Sequence, residues 1–194
     1  LREFYGINEE DGAALYRTNQ ITNNTKVIGN DTLTTVLSEA NFRFSNQSSI
    51  PDFYGSMNHN LKYKGFSLGV LFTYQVGGKV YDGNYASLMS SGSYGNAMHV
   101  DILNRWTAPG TSNTIPRLDN SRTADFSGAS TRWLTSGSFL QLNNVTLGYD
   151  IPRSIASKIN AKTINVYITG ENLALWSARK GMNVVGSFNG TVDN

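Results

Sequence analysis

The chain has 194 residues and a net charge of +2, and only 15% of its residues are charged, against ~25% in a typical soluble domain. That balance excludes the strong positive field a nucleic-acid partner would require. The absence of cysteine excludes disulfides, thiolate chemistry and cysteine-bound zinc. Asn, Ser, Thr and Gly fill the deficit, so the chain is polar without being charged.

In chain order, the opening LREFYGINEEDG lacks the apolar centre of a signal peptide. No apolar run approaches the ~18 residues of a membrane helix, although a barrel built of strands needs none. Residues 6–52 read as loop. From 53 to 63 the sequence FYGSMNHNLKY sets Met57, Leu61 and Tyr63 on one parity and Ser56, Asn58, Asn60 and Lys62 on the other. After Lys64-Gly65 the alternation resumes, with Phe66, Leu68, Val70, Phe72, Tyr74 and Val76 on one face and Ser67, Gly69, Leu71, Thr73 and Gln75, mostly small or polar, on the other. Two loop residues with Gly second predict a type I′ hairpin. Its register places Tyr63 opposite Phe66, Leu61 opposite Leu68, His59 opposite Val70 and Met57 opposite Phe72. The other face then pairs Lys62 with Ser67 and Ser56 with Thr73.

Residues 79–132 read as a long loop. The stretch 138–152, SFLQLNNVTLGYDIP, reads as a strand with Leu140 and Leu142 on one parity and Val145, Leu147, Tyr149 and Ile151 on the other, which predicts a bulge near Asn143-Asn144. RSIASKI at 153–159 is a short helix candidate, and residues 163–173 alternate as a further strand. Residues 174–194 read as loop. The bare ends are those expected of a piece of something larger.

The oily face can meet either a protein core or lipid. Short and long connections alternate, as they do in outer-membrane barrels with tight periplasmic turns and long outer loops. Lys64-Gly65 and 152–162 would then be periplasmic. Phe66 to Val76 would span ~36 Å, or ~26 Å of height at a ~45° tilt, close to the ~25 Å apolar band of such barrels. No Lys or Arg stands on the oily parity between 66 and 76. The reading is an all-β, antiparallel up-and-down transmembrane barrel, present in part, with Phe66, Leu68, Val70, Phe72, Tyr74 and Val76 facing lipid and aromatic residues near each end. The alternatives are a soluble secreted β-sandwich that binds carbohydrate or another ligand and buries the same face under a second sheet, and a porin-like barrel without a plug.

Several stretches in order, PDFYGSMNHNLKYKGFSLGVLFTYQVGGKVYD, ILNRWTAPGTSNTIPRL, SFLQLNNVTLGYDIP and INVYITGENLALWS, together with YGINEEDGAALYR near the start, resemble the C-terminal part of SusC/RagA-type TonB-dependent outer-membrane transporters. The resemblance implies that residues 1–194 are part of a 22-stranded barrel domain, with the plug domain and the last strand absent. It implies import of glycans, oligopeptides or similar nutrients driven through TonB. It also implies a SusD-like lipoprotein lid and residence in the outer membrane of a Gram-negative, Bacteroidetes-like cell.

No catalytic constellation, metal site or cofactor site is expected. His59 and His99 lie far apart in sequence, His59 awkwardly on the oily parity and His99 in a loop, where it should be solvated. The Asn-x-Ser/Thr triplets at Asn23, Asn30, Asn46, Asn144 and Asn189 are what an Asn-rich chain produces by chance. In the loop NRWTAPGTSNTIPR, Arg105, Trp106 and Arg117 are candidates for substrate or lid contact, through stacking on a sugar or peptide group and binding of carboxylates. The competing reading packs Trp106 into its own loop. Trp176 is either a fourth contact or an interfacial anchor.

Overall fold

The computed structural model describes residues 1–90, 95–111, 114–180 and 182–185. The chain divides into two compact units, Leu1–Gln47 with Tyr81–Leu134, and Ser48–Val80 with Thr135–Asn194.

The first unit replaces what the sequence reading took for two long loops. Four strands of four residues each, β1 (Phe4–Ile7), β2 (Ala14–Arg17), β3 (Thr25–Ile28) and β4 (Asp31–Thr34), form an antiparallel sheet in the order β1-β2-β4-β3. The acidic-glycine stretch is the β1–β2 turn: Asn8 donates to the Asp11 carboxylate at 2.6 Å, and Gly12 turns the chain at φ +73°. Helix α1 (Gly83–Leu88) starts at Asp82, whose carboxylate accepts from the Tyr85 N–H at 2.9 Å. Helix α2 (Thr123–Ser127) and 3₁₀ turns at Leu37–Glu39, Val100–Asn104 and Thr131–Trp133 complete the unit.

Elements this short carry too few residues to show a 3.6 or 2 period, so the sequence pattern could not reveal them. They hold together by burial instead. Ala86, Met89, Ile102, Ile115, Phe126 and Trp133 form one apolar cluster, and Ala14, Tyr16, Leu37 and Ala40 another. The Arg132 guanidinium stacks over Trp133 at 4.4 Å and Phe126 at 4.9 Å, and donates to the Phe126 carbonyl. His99 is half-buried rather than solvated: its Nδ1 accepts from the Asp101 N–H at 3.1 Å, and its ring meets Tyr85 edge to face at 4.8 Å.

Tyr16 is fully buried and donates to the Asp125 carbonyl at 2.6 Å; burial pushes its phenol up to about 12. The unfolded phenol ionises near 10. Stability held by the neutral phenol is therefore present below that pH and lost as pH rises toward the folded value. Thermal melts of the intact protein should show a loss of up to ~3 kcal/mol from this group over that window. Tyr16→Phe should be less stable at neutral pH and flatter with pH.

The second unit is a four-stranded antiparallel sheet. Strands β5 (Pro51–Tyr63) and β6 (Phe66–Gly77) form the hairpin, with Lys64 at φ 47° and Gly65 at φ 88°, the two positive angles of a type I′ turn. Every expected pair is present, including Tyr63 with Phe66, His59 with Val70, and Ser56 with Thr73. β7 (Lys79–Tyr81) and β8 (Leu134–Ser136) are a short separate pair. β9 (Phe139–Asp150) pairs with β6, and β10 (Asn165–Ser177) with β9, giving the order β10-β9-β6-β5. The connection carries the expected short helix, α3 (Arg153–Ala156), continued by a 3₁₀ turn at Ser157–Ile159 that Asn160 ends in the left-handed region.

The expected bulge is there. Leu71 pairs with Asn144 and Phe72 with Leu142, leaving Asn143 unpaired, so the two parities of β9 join on one face. On β10 the register jumps from Glu171 to Ala174, with Asn172 at φ 52°. That irregularity corrects the sequence reading of loop from residue 174 onward: β10 continues to Ser177 on the opposite parity, which concealed it. Residues 181 and 186–194 of that reading lie outside the described residues.

Candidate functional site: a two-faced sheet

The bulge and the registers make one face of the second unit almost continuously apolar. Rows across β5, β6, β9 and β10 read Tyr63-Phe66-Tyr149-Val166, Leu61-Leu68-Leu147-Ile168, His59-Val70-Val145-Gly170, Met57-Phe72-Leu142-Ala174 and Gly55-Tyr74-Leu140-Trp176. Phe53 and Val76 follow at the edge. Aromatic residues gather at the two ends: Phe66 against Tyr149 at 4.6 Å between ring centres, and Phe53 against Tyr74 at 6.2 Å. The middle rows are aliphatic apart from His59 and Phe72, and Phe72 stands one row inward of the far aromatic end.

None of these side chains is buried. Phe66 is 53% exposed, Leu61 64% and Ile168 71%, and the rest are exposed or half-buried. A β-sandwich would bury this face, so that alternative does not describe the molecule. An apolar surface this extended is unusual on a soluble monomer and marks a membrane or protein contact.

The opposite face is mostly amide and hydroxyl side chains, several of them hydrogen-bonded to one another, with Leu71, Phe139 and Leu175 among them. The Asn143 side-chain amide donates to the Thr73 hydroxyl at 2.9 Å, that of Gln141 to Asn172 Oδ1 at 3.1 Å, and the Thr146 hydroxyl to Asn144 Oδ1 at 3.0 Å. The Thr146 and Thr169 hydroxyls are 3.0 Å apart. From the Lys62 row to the Tyr54 row only Lys62 and Glu171 are charged. Tyr54, Thr73, Gln75, Gln141, Asn143 and Asn172 line a concave part of this face. Sequence reasoning missed the Asn143–Thr73 and Gln141–Asn172 bonds because each depends on a bulge residue.

Arg105, Trp106 and Arg117 belong to the first unit. Trp106 and Arg117 meet on the β1–β2 turn: the Arg117 guanidinium donates to the Asp11 carbonyl at 2.8 Å, the Arg117 N–H donates to Gly12 O at 2.8 Å, and the Trp106 indole lies against Gly12. Both side chains therefore anchor their loop. Arg105 makes no ion pair among the described residues. Trp176 lies in the second unit on the apolar face, 54% exposed, where its interfacial reading fits better than ligand contact. The described residues hold no cluster of three or more His, Asp or Glu side chains suited to a metal, and no helix long and apolar enough to cross a membrane.

Gly12 combines a left-handed φ with a position where an added Cβ would lie 2.4 Å from Trp106. Gly12→Val is expected to displace Trp106 and cost ~2 kcal/mol or more, read as a lower melting temperature with shifted tryptophan fluorescence.

The chain matches no family profile. TonB-dependent receptor P3 of Formosa agariphila is 30% identical over 133 residues, 68% of this chain and 12% of that protein. TonB-dependent receptor P39 of the same organism is 28% identical over 151 residues, 74% of this chain and 14% of that protein. The chain thus spans about an eighth of the curated relatives it matches. Among solved structures, the RagAB peptide transporter superposes with a TM-score of 0.72 at 24% identity, covering 93% of this chain and 19% of that one. The RagAB peptide importer in its closed-closed state gives 0.71, again at 24% identity and with the same coverage of both chains. These structures share the fold.

Proposed function

Because the chain belongs to the TonB-dependent receptors, we propose that its second unit is a sector of an outer-membrane barrel wall, in a transporter that imports glycans, oligopeptides or similar nutrients with TonB-derived energy. The observation that carries this reading is the pair of opposed faces, with apolar rows bounded by aromatic residues on one side and mostly polar, nearly uncharged side chains on the other. A barrel wall needs that pairing, because lipid tolerates no unsatisfied backbone and the lumen is wet.

β5 and β10 are open edges among the described residues, so residues 1–194 would be one stretch of the barrel domain, with further strands and a plug supplied by other parts of the protein. Lys64-Gly65 would turn on the periplasmic side. The long connection after β6, which carries Arg105, would lie outside the cell, with Arg105 available to substrate or to a SusD-like lipoprotein lid. Two solved structures that share the fold are of a RagAB peptide transporter, which makes oligopeptides the first substrates to test.

Deleting the gene should abolish uptake of a labelled oligopeptide or oligosaccharide, and a protonophore should abolish it equally in the parent strain. Uptake of both classes unchanged by the deletion would overturn the reading. Pull-down of the intact receptor in mild detergent should retain a surface lipoprotein.

A further inference from the structure

The short-turn end of the sheet carries a charge pattern unlike the rest of the chain. Lys62, Lys64, Arg153, Lys158 and Lys162 are five of its sixteen cationic residues, whereas Asp150 is one of fourteen acidic ones. These residues share one end of the fold, since the Asp150 N–H donates to Gly65 O at 2.8 Å and α3 follows directly. The Asp150 carboxylate accepts from the Asn165 amide at 2.8 Å. Lys62 stands on the polar face, and the Lys64 ammonium lies over the Tyr63 ring at 5.2 Å. Arg153, Lys158 and Lys162 are exposed and have no ion-pair partner among the described residues.

Apolar surface lies beside these cations. Ala156 is fully buried, while Ile155 and Ile159, one helical turn apart, are 55% and 70% exposed. Ile155 lines an open apolar groove with Phe66, Tyr149, Ile151 and Val166, continuous with the apolar sheet face. Exposed isoleucines next to unpaired cations fit a membrane surface, where apolar side chains enter the acyl region and ammonium groups meet phosphate.

We propose that the connection 152–162 is a docking site for an anionic phospholipid. An acyl chain occupies the groove beside Ile155, and Arg153, Lys158 and Lys162 hold the headgroup phosphate. This rests on the reading of the sheet as barrel wall, and it adds a preference for charge that lipid facing alone does not require.

The test uses the full-length receptor in nanodiscs of mixed phosphatidylcholine and phosphatidylglycerol, with retained lipid quantified by native mass spectrometry. Wild type should enrich phosphatidylglycerol, and R153Q/K158Q/K162Q should lower that enrichment roughly fivefold or more. Should the triple variant fail to assemble, K158Q alone should show a smaller decrease in the same direction. Equal enrichment in wild type and variant overturns the proposal, as does displacement of the lipid by inorganic phosphate, which would indicate a free-anion site. Heat-modifiable migration of the barrel reports insertion separately: normal insertion without enrichment sinks only the lipid site, and failed insertion of wild type sinks the barrel reading as well.

Discussion

Val70→Lys in the intact receptor is expected to impair barrel assembly, whereas Thr73→Lys is expected to assemble. Val70 stands in the middle row of the apolar face, with Leu68 and Phe72 above and below it and Val145 beside it. A lysine there would place an ammonium near mid-bilayer, at a cost of ~2–4 kcal/mol. Snorkelling gives little relief so far from either aromatic row. Thr73 faces the other way, where its hydroxyl accepts from Asn143. Losing that bond costs ~1 kcal/mol, and a lumen cation can remain hydrated. The fraction of heat-modifiable barrel in outer-membrane preparations reads both variants. Equal assembly of the two would remove lipid facing as the cause of the alternation.

Trp133→Ala is expected to cost the first unit ~3–5 kcal/mol, whereas Trp176→Ala should cost under ~1 kcal/mol. Trp133 is 1% exposed, packs in the cluster with Met89 and Phe126, and donates its indole N–H to the Gly128 carbonyl at 3.0 Å. Truncation leaves a cavity, strips that carbonyl of its donor, and removes one of the aromatic faces under Arg132. Burial lowers the Arg132 guanidinium to about 10, so it stays charged at neutral pH and loses a cation–π contact when the ring is removed. Trp176 has solvent or lipid on its outer side and leaves no cavity. Limited proteolysis of the intact receptor across a temperature ramp, scored at residues 81–134, separates the two. Equal protection of both variants would contradict this packing.

The second unit was legible in the sequence because independent local signals agreed. Lys64-Gly65 fixed the turn, the turn fixed the register, and the register matched the alternation already present in both strands. Asn143 showed itself by the parity change it causes between Leu142 and Val145. The second irregularity, at Asn172 and Leu173, falls where the alternation ends, so β10 seemed to stop and Trp176 seemed to belong to a loop.

The first unit was illegible for a different reason. Long-range packing brings Phe126 and Trp133 into one cluster and Tyr16 and Leu37 into another, and no element among them exceeds six residues. A core of that kind leaves no period in the sequence. The same packing explains Trp106 and Arg117: residue type suggested ligand contact, while Gly12 and Asp11, far away in sequence, occupy them.

Accessibility of single nitroxide labels tests lipid facing most directly. The chain has no cysteine, so Val70→Cys and Thr73→Cys each give one labelling site within it. In the full-length receptor reconstituted in liposomes, the label at position 70 should collide mainly with oxygen and hardly with a water-soluble nickel chelate, and the label at position 73 should show the reverse. Comparable nickel accessibility at both positions would contradict the assignment of this face to lipid.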